Sequence, residues 1–419
     1  MTPTSSELFN SKLLWPKSQI IKGLGRSTLG SDPQRAGSLD STPLISTPPM
    51  LDPCKAAFPT SASNLLSKPK LINVASRPIP LRTLITLLNY ERVTSDWRFE
   101  NFSLYHSSEM ESRKFEKFDT VHTEGVRCFC YDDSPYPPDQ QIWRQATCRV
   151  HPEAPPETRR LSSSQLERAF YESRNAEWSF GVELMYQLFF KFCGQGQQLK
   201  IQISNEQPVL VDASDMHVLH FLLIHPRHRN LNGKHRATDG VFHKLMLGRR
   251  KGSVLVFPPR LKDMSPPVND KNHTTRFEDC FVVDMLHMRY GKKGLFEEPY
   301  FLGNGRQWQS FMYANVCEGI IDCGIERPCL AKNRGECSVR TWDWFYTHSL
   351  RAFHRWIAND QNPNFLWCHY CGIGGARFIG CCGEGEEMTR YCSEEHRERG
   401  WALHRFTCKN KVIDLWDVD

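Results

Sequence analysis

The chain has no run of the roughly 20 apolar residues that a membrane-spanning helix requires. Its greasiest stretch, Val218 to Ile224, is short and interrupted by His220. No membrane is therefore expected among its partners. The N-terminal stretch lacks a compact apolar region followed by a small-residue cleavage site, so no secretory leader is expected. Its Ser and Thr, with Lys12, Lys17, Lys22 and Arg26 and little acid, suit a disordered tail better than an import signal. Also absent are a Walker-type phosphate loop, a Gly-x-Ser-x-Gly elbow and a His-Glu-x-x-His pair, which removes the commonest hydrolase readings. Gly303-Asn-Gly305 and Gly372-Ile-Gly-Gly375 stand alone as weak glycine signals. No internal repeat marks a solenoid. Charge of one sign is missing too: 53 Lys and Arg against 47 Asp and Glu leave +6 over 419 residues. That balance permits an acidic partner without indicating nucleic acid.

What the chain does have is apolar and aromatic content for a core, 40% and 11%, and 16 cysteines. With no leader, clustered Cys and His read as metal ligands and buried thiols, not disulfides. The expected setting is cytoplasmic, nuclear or both.

Composition divides the sequence. Residues 1–80 are rich in Ser, Thr and Pro, as in Ser41-Thr-Pro-Leu-Ile-Ser-Thr-Pro-Pro49, and read as a disordered tail. Residues 81–358 read as a folded core, 359–366 as a linker, 367–408 as a cysteine-rich module and 409–419 as a second tail. In the core the patterns predict a helix from Leu81 to Leu88 and strands over Trp97 to Tyr105, Lys114 to Tyr131 and Gln141 to Val150. Ser164 with Glu167 has the spacing of a capping box. A helix is predicted over Glu177 to Phe192 with Gly194 as its stop, and a hairpin over Leu199 to Asp212. Gly252 to Phe257 and Phe277 to Leu286 read as strands, Arg306 to Ile321 and Thr341 to Ala358 as helices. The irregular mixture implies an α+β core of no recognised family, without repeated βα units.

The module carries the chemistry. Cys368-x2-Cys371 is a knuckle that can turn two thiolates toward one ion. Cys392-x3-His396 and His404-x3-Cys408 are i, i+4 pairs, each with both members on one helical face. Cys381 and Cys382 bring the candidates to eight, enough for two zinc ions. A module so short has too little core to fold without metal.

The run Tyr391-Cys392-Ser393-x2-His396-x4-Trp401-x2-His404-x3-Cys408, preceded by Cys368-x2-Cys371, resembles a MYND-type zinc finger. The likeness covers about 368–408. It implies two interleaved structural zincs, one held by Cys368, Cys371, Cys392 and His396. The other would take His404, Cys408 and ligands near Cys381 and Cys382. His396 stands where the family usually has Cys, and imidazole is an ordinary zinc ligand. The second pair departs further. Both adjacent cysteines, or Cys381 with Glu384, could complete the second site, and thiolate suits structural zinc better. Gly385, the partner position counted from Cys382, has no side chain to offer.

The resemblance also implies partners: proteins carrying proline-rich peptides of the form Pro-x-Leu-x-Pro. The chain contains that string at Pro49-Met-Leu51-Asp-Pro53, so the tail could dock on its own finger. The family also includes fingers within SET-domain lysine methyltransferases, but the Asn-His-Ser-Cys segment of those enzymes is absent. The expected function is a zinc-dependent interaction protein, an adaptor or transcriptional co-regulator. The alternative is an enzyme whose site lies in the core, built on the histidines from His217 to His243 (His217, His220, His225, His228, His235, His243). No tight carboxylate set completes such a site, and solvated or half-buried histidines are the plainer expectation. Arg249-Arg250-Lys251 reads as solvated charge. Cys317, Cys323, Cys329 and Cys337 are spaced too widely for a knuckle, and Cys128 and Cys130 share one strand face as core thiols.

Overall fold

The structure, a computed structural model, describes residues 78–111, 125–133, 135, 147–175, 179–194, 196–203, 207–234, 246–247, 251–259, 277–327, 330, 337–358, 366–374, 378–381, 389–405 and 408. Pro49–Pro53, the linker residues 359–365, Cys382, His235, His243 and Cys329 fall outside them. The described residues mix seven helices with several sheets.

Three helices make one layer. They are α1 (Leu81–Thr94), α4 (Ser179–Cys193) and α6 (Val339–Ala358). In α6, Phe345, Ser349, Ala352 and Phe353 recur at helical spacing and all are buried, which defines the inward face. Leu184, Met185, Leu188 and Phe189 do the same for α4. Phe189 meets Phe353 edge-on at 5.5 Å, a favoured aromatic geometry.

Beneath lies a five-stranded antiparallel sheet in the order β11-β10-β9-β6-β12. Its strands are β6 (His217–Pro226), β9 (Lys251–Phe257), β10 (Phe281–Asp284), β11 (Phe301–Asn304) and β12 (Cys317–Glu326). The two-residue period of a strand sorts its side chains between two cores. Val218, Leu255, Phe257, Val283 and Leu302 face the helical layer. Leu219, Val254, Val256, Val282 and Phe301 face α5 (Gly305–Asn315) through Trp308 and Met312. A sheet buried on both faces explains the run Val218 to Ile224, which lacks a polar alternation.

A second sheet, β2-β3-β7-β8, comprises β2 (Phe102–Glu111), β3 (Gly125–Asp133), β7 (His228–Lys234) and β8 (Met246–Leu247). Strands β3 and β7 run parallel. The chain passes from β6 of the first sheet into β7 of the second across Arg227 alone. A third, small sheet joins β1 (Ile79–Pro80), β4 (Gln198–Ile201) and β5 (Val209–Asp212). Ile79, at the end of the stretch read as tail, is fully buried.

Four expectations need correction. The strand read over Phe277 to Leu286 is a 3-10 turn at Phe277–Asp279 followed by the short β10, Phe281–Asp284. Trp97–Phe99 is a 3-10 turn capped by Asp96, and the strand begins only at Phe102. The helix predicted to reach Ile321 stops at Asn315, because Cys317–Glu326 pairs along β6 as an edge strand. Cross-strand pairing of Ile320 and Ile321 there outweighs the local helical spacing. The reciprocal cap of α3 (Ser163–Asn175) is Ser162 with Gln165, whose backbone and side chains exchange contacts of 2.8 and 3.3 Å. Glu167 is therefore not a cap partner. It points elsewhere, as described below. The short α2 (Pro156–Arg159) precedes it.

Candidate metal centres

The last elements are a two-stranded ribbon, β13 (Ile379–Gly380) with β14 (Arg390–Tyr391), and α7 (Glu394–His404). The ribbon holds Cys381 and Cys392 just past its paired residues, Cys381 N donating to Thr389 O at 3.0 Å. Ser393 caps α7, its hydroxyl accepting from His396 N at 3.2 Å, and Glu394 and Glu395 in the first turn suit the helix dipole. His396 and His404 lie eight residues apart, about 12 Å along a helix. Helix α7 thus offers one imidazole at each end, to two separate sites.

Those sites exist as two Cys/His groups: Cys368, Cys371, Cys392 and His396, and Cys381, His404 and Cys408. Within each, one donor atom per residue lies within 4.8 Å of all the others. Four donors held at about 2.3 Å (S) or 2.0 Å (N) from a tetrahedral zinc stand about 3.5–3.8 Å apart. Cys371 Sγ is 3.8 Å from Cys392 Sγ, and His396 Nδ1 is 3.1 and 3.9 Å from Cys392 Sγ and Cys368 Sγ. Cys381 Sγ and Cys408 Sγ are 4.0 Å apart. These spacings and soft donors fit zinc and fit no disulfide. Two groups are thus positioned to bind a metal ion. In the first, burial opposes charge on His396, while Cys368, Cys392 and Glu167 facing its two nitrogens raise its pKa, the surroundings of a ring that favours a positive centre at Nδ1. Burial lowers His404 toward its neutral, ligating form.

The first group is built into the core. Cys368, Tyr370, Cys371 and Tyr391 share one apolar cluster with Val93 of α1, Leu104 of β2 and Phe170 and Tyr171 of α3. Tyr370 stacks at 4.7 Å on the His396 ring, and its hydroxyl donates to Glu297 O at 2.7 Å. Lys293 Nζ donates to the same hydroxyl at 3.2 Å. The knuckle presses on α1 through Gly372, whose φ is +81°. A Cβ there would sit 2.6 Å from Tyr90 Cβ and 2.8 Å from Thr86 O. Arg355 of α6 donates to Gly372 O and, at 3.0 Å, to Glu91 of α1. Burial works against the Glu91 carboxylate, but His348, Arg355 and Arg351 outweigh it and hold its pKa below the usual value.

The second group gathers around residues of the same C-terminal segment. Thr389 Oγ1 lies 3.3 Å from His404 Nδ1, and the Trp401 ring is 5.8 Å from His404. A cavity of about 220 Å³ lies beside it, between finger and core. Arg82, Lys200 and Phe296 wall its core side, and Trp367, Tyr391 and Leu403 its finger side.

Among the described residues, the core histidines His217, His220 and His225 do not converge. His217 Nδ1 meets Asp215 O at 2.8 Å, His220 Nδ1 meets Ser253 Oγ at 2.8 Å, and His225 Nδ1 meets Glu318 at 2.7 Å. Among the described residues they join no metal-type group. Cys128, Cys130 and Cys317 are buried, and burial raises their thiols to about 11, 12 and 12. Reactive, low-pKa chemistry is not what those thiols offer. No helix among the described residues is long and apolar enough to cross a membrane. Sequence reasoning missed Glu167, Lys293 and Arg399 around the first group. The one available signal was Glu167 inside a strongly periodic helix, where its burial was not legible.

No family model, no curated protein and no solved structure gives a significant match to this chain.

Proposed function

We propose that this protein is a zinc-dependent protein–protein interaction protein, an adaptor or transcriptional co-regulator, acting through a C-terminal MYND-type finger. The first zinc is held by Cys368, Cys371, Cys392 and His396, the second by Cys381, His404, Cys408 and Cys382. The observation that carries this reading is the first donor set, four protein donors within 4.8 Å of one another, with Cys368 and Cys371 buried. A site so filled has no position for water or substrate, which makes the ion structural and not catalytic. The function then belongs to the surface that the metals hold in shape.

The partner class is a proline-rich peptide. The aromatic walls of the cavity at the finger–core junction support docking there, since extended proline-rich segments favour aromatic-lined grooves. The Pro49–Pro53 string competes for the same place, at an effective concentration up to about millimolar through its tether. Fluorescence anisotropy of a labelled Pro-x-Leu-x-Pro peptide tests this. Binding is expected to the zinc-loaded protein, to vanish on chelation, to weaken in Leu403→Glu, and to tighten in Leu51→Ala. Equal binding before and after chelation would sink the reading.

A further inference from the structure

The first donor set is backed by a residue from the core. Glu167 sits in α3, far from the finger in sequence, and is only 3% exposed. Its two carboxylate oxygens have separate tasks. Oε2 receives Arg399 of α7 and lies 3.8 Å from Lys293 Nζ. Oε1 is buried and has no hydrogen-bond partner of its own. The group it faces is His396 Nε2, at 3.6 Å. The other nitrogen of that ring, Nδ1, is the one turned to the Cys392 and Cys368 sulfurs.

We propose that Glu167 is the outer-shell carboxylate of the first zinc site, fixing His396 as the Nδ1-ligating, Nε2-protonated tautomer. The inference rests on the zinc-finger reading above. A metal on Nδ1 leaves the ring's single proton on Nε2, and that proton has one buried acceptor, the orphaned Oε1. Shortened by a few tenths of an ångström from its 3.6 Å, this contact becomes a hydrogen bond that orients the ring and raises its basicity as a ligand. It also explains why imidazole serves at a position where a thiolate would need no second partner. A Cys there could not reach Glu167 through the metal-bound atom, so the finger would keep its packing and its Arg399, Arg355 and Tyr370 contacts with the core but lose the link that runs through the metal. With His396 the metal, the imidazole and α3 form one continuous chain, and zinc binding and finger docking become a single event. Glu167 is a positioning residue and touches no ion itself.

The test is a double-mutant cycle in the full-length protein: parent, Glu167→Gln, His396→Cys, and both together. The readout is zinc affinity of the first site by competition with a chromophoric chelator, the second site being resolved by its own release phase. Glu167→Gln is expected to weaken the first site about 10–100-fold in the parent, the usual cost of an outer-shell change. In the His396→Cys background the same substitution is expected to change affinity by about twofold or less, since uncoupled positions add independently. Equal losses in both backgrounds would mean that Glu167 acts only by packing and by pairing with Arg399, and would overturn the proposal. So would an unchanged affinity in Glu167→Gln. A parent that holds zinc only at the second site overturns this inference and the four-ligand assignment together, whereas the first two results leave the finger standing.

Discussion

The two Cys/His groups use the same ligand types and the same helix, yet they relate to the rest of the chain differently. The first is surrounded by the core: α1 under Gly372, α3 behind His396, α6 reaching Gly372 O through Arg355. The second is arranged around Thr389, Tyr391 and Trp401 of the finger itself. The difference teaches that a short metal-built module need not be an appendage. One of its groups can serve as the rivet that fastens it, while the other borders the cavity shared with Arg82, Lys200 and Phe296.

The largest expected effect comes from removing metal. A structural zinc contributes on the order of 10–16 kcal/mol of apparent binding at neutral pH, far more than a small module's own core supplies. A chromophoric chelator should therefore release zinc in two phases of equal amplitude, the second-group ion first. Loss of the slow ion should open the finger–core junction to protease. One undivided phase would erase the contrast between the sites.

Next is Glu91→Ala, which leaves the buried Arg355 with Gly372 O but without its carboxylate. Breaking a buried pair in this way costs about 3–5 kcal/mol, read by chemical denaturation. The first-group zinc should leave faster and the second at its parental rate. The pH dependence has a definite sign. Because the folded-state pKa of Glu91 is depressed below its ordinary 4.5, its contribution is fully present above that value. It is lost as pH falls through the folded pKa, and the Glu91→Ala variant should lack that acid-side loss.

Gly372→Ala should follow at about 1–3 kcal/mol, the cost of a side chain in a left-handed backbone position. Its contact with Tyr90 and Thr86 places the effect on the first site. Thr389→Val is the smallest, about 1 kcal/mol for one side-chain hydrogen bond. Its signature is faster release of the second ion alone, seen in the early chelator phase.

Much of this was legible in the sequence where chemistry is local. The knuckle and the two x3 pairs gave six of the seven donors that the fold gathers into two groups, Cys381 being the seventh. Which pairs meet was implied by the family resemblance, not by spacing, and neither x3 pair lies wholly on the helix, because Cys392 precedes it and Cys408 follows it. Cys382, the remaining candidate, lies outside the described residues. The hairpin of β4 and β5 and the amphipathic α6 were equally plain. What spacing could not show was long-range. Glu167 looked like a cap partner because Ser164 precedes it by three residues, and only tertiary packing turns it toward His396. Cys317 to Ile321 looked helical because α5 leads into it, and only its pairing with β6 makes it a strand. The parallel pairing of β3 with β7 joins segments about a hundred residues apart, beyond any local pattern.

The most direct measurement is the zinc content of the purified full-length protein beside Cys392→Ser and Cys408→Ser. The account predicts two zincs per chain in the parent and one in each variant, with the finger–core junction opened to protease only in Cys392→Ser. A parent with no zinc, or two variants that both lose everything, would contradict it.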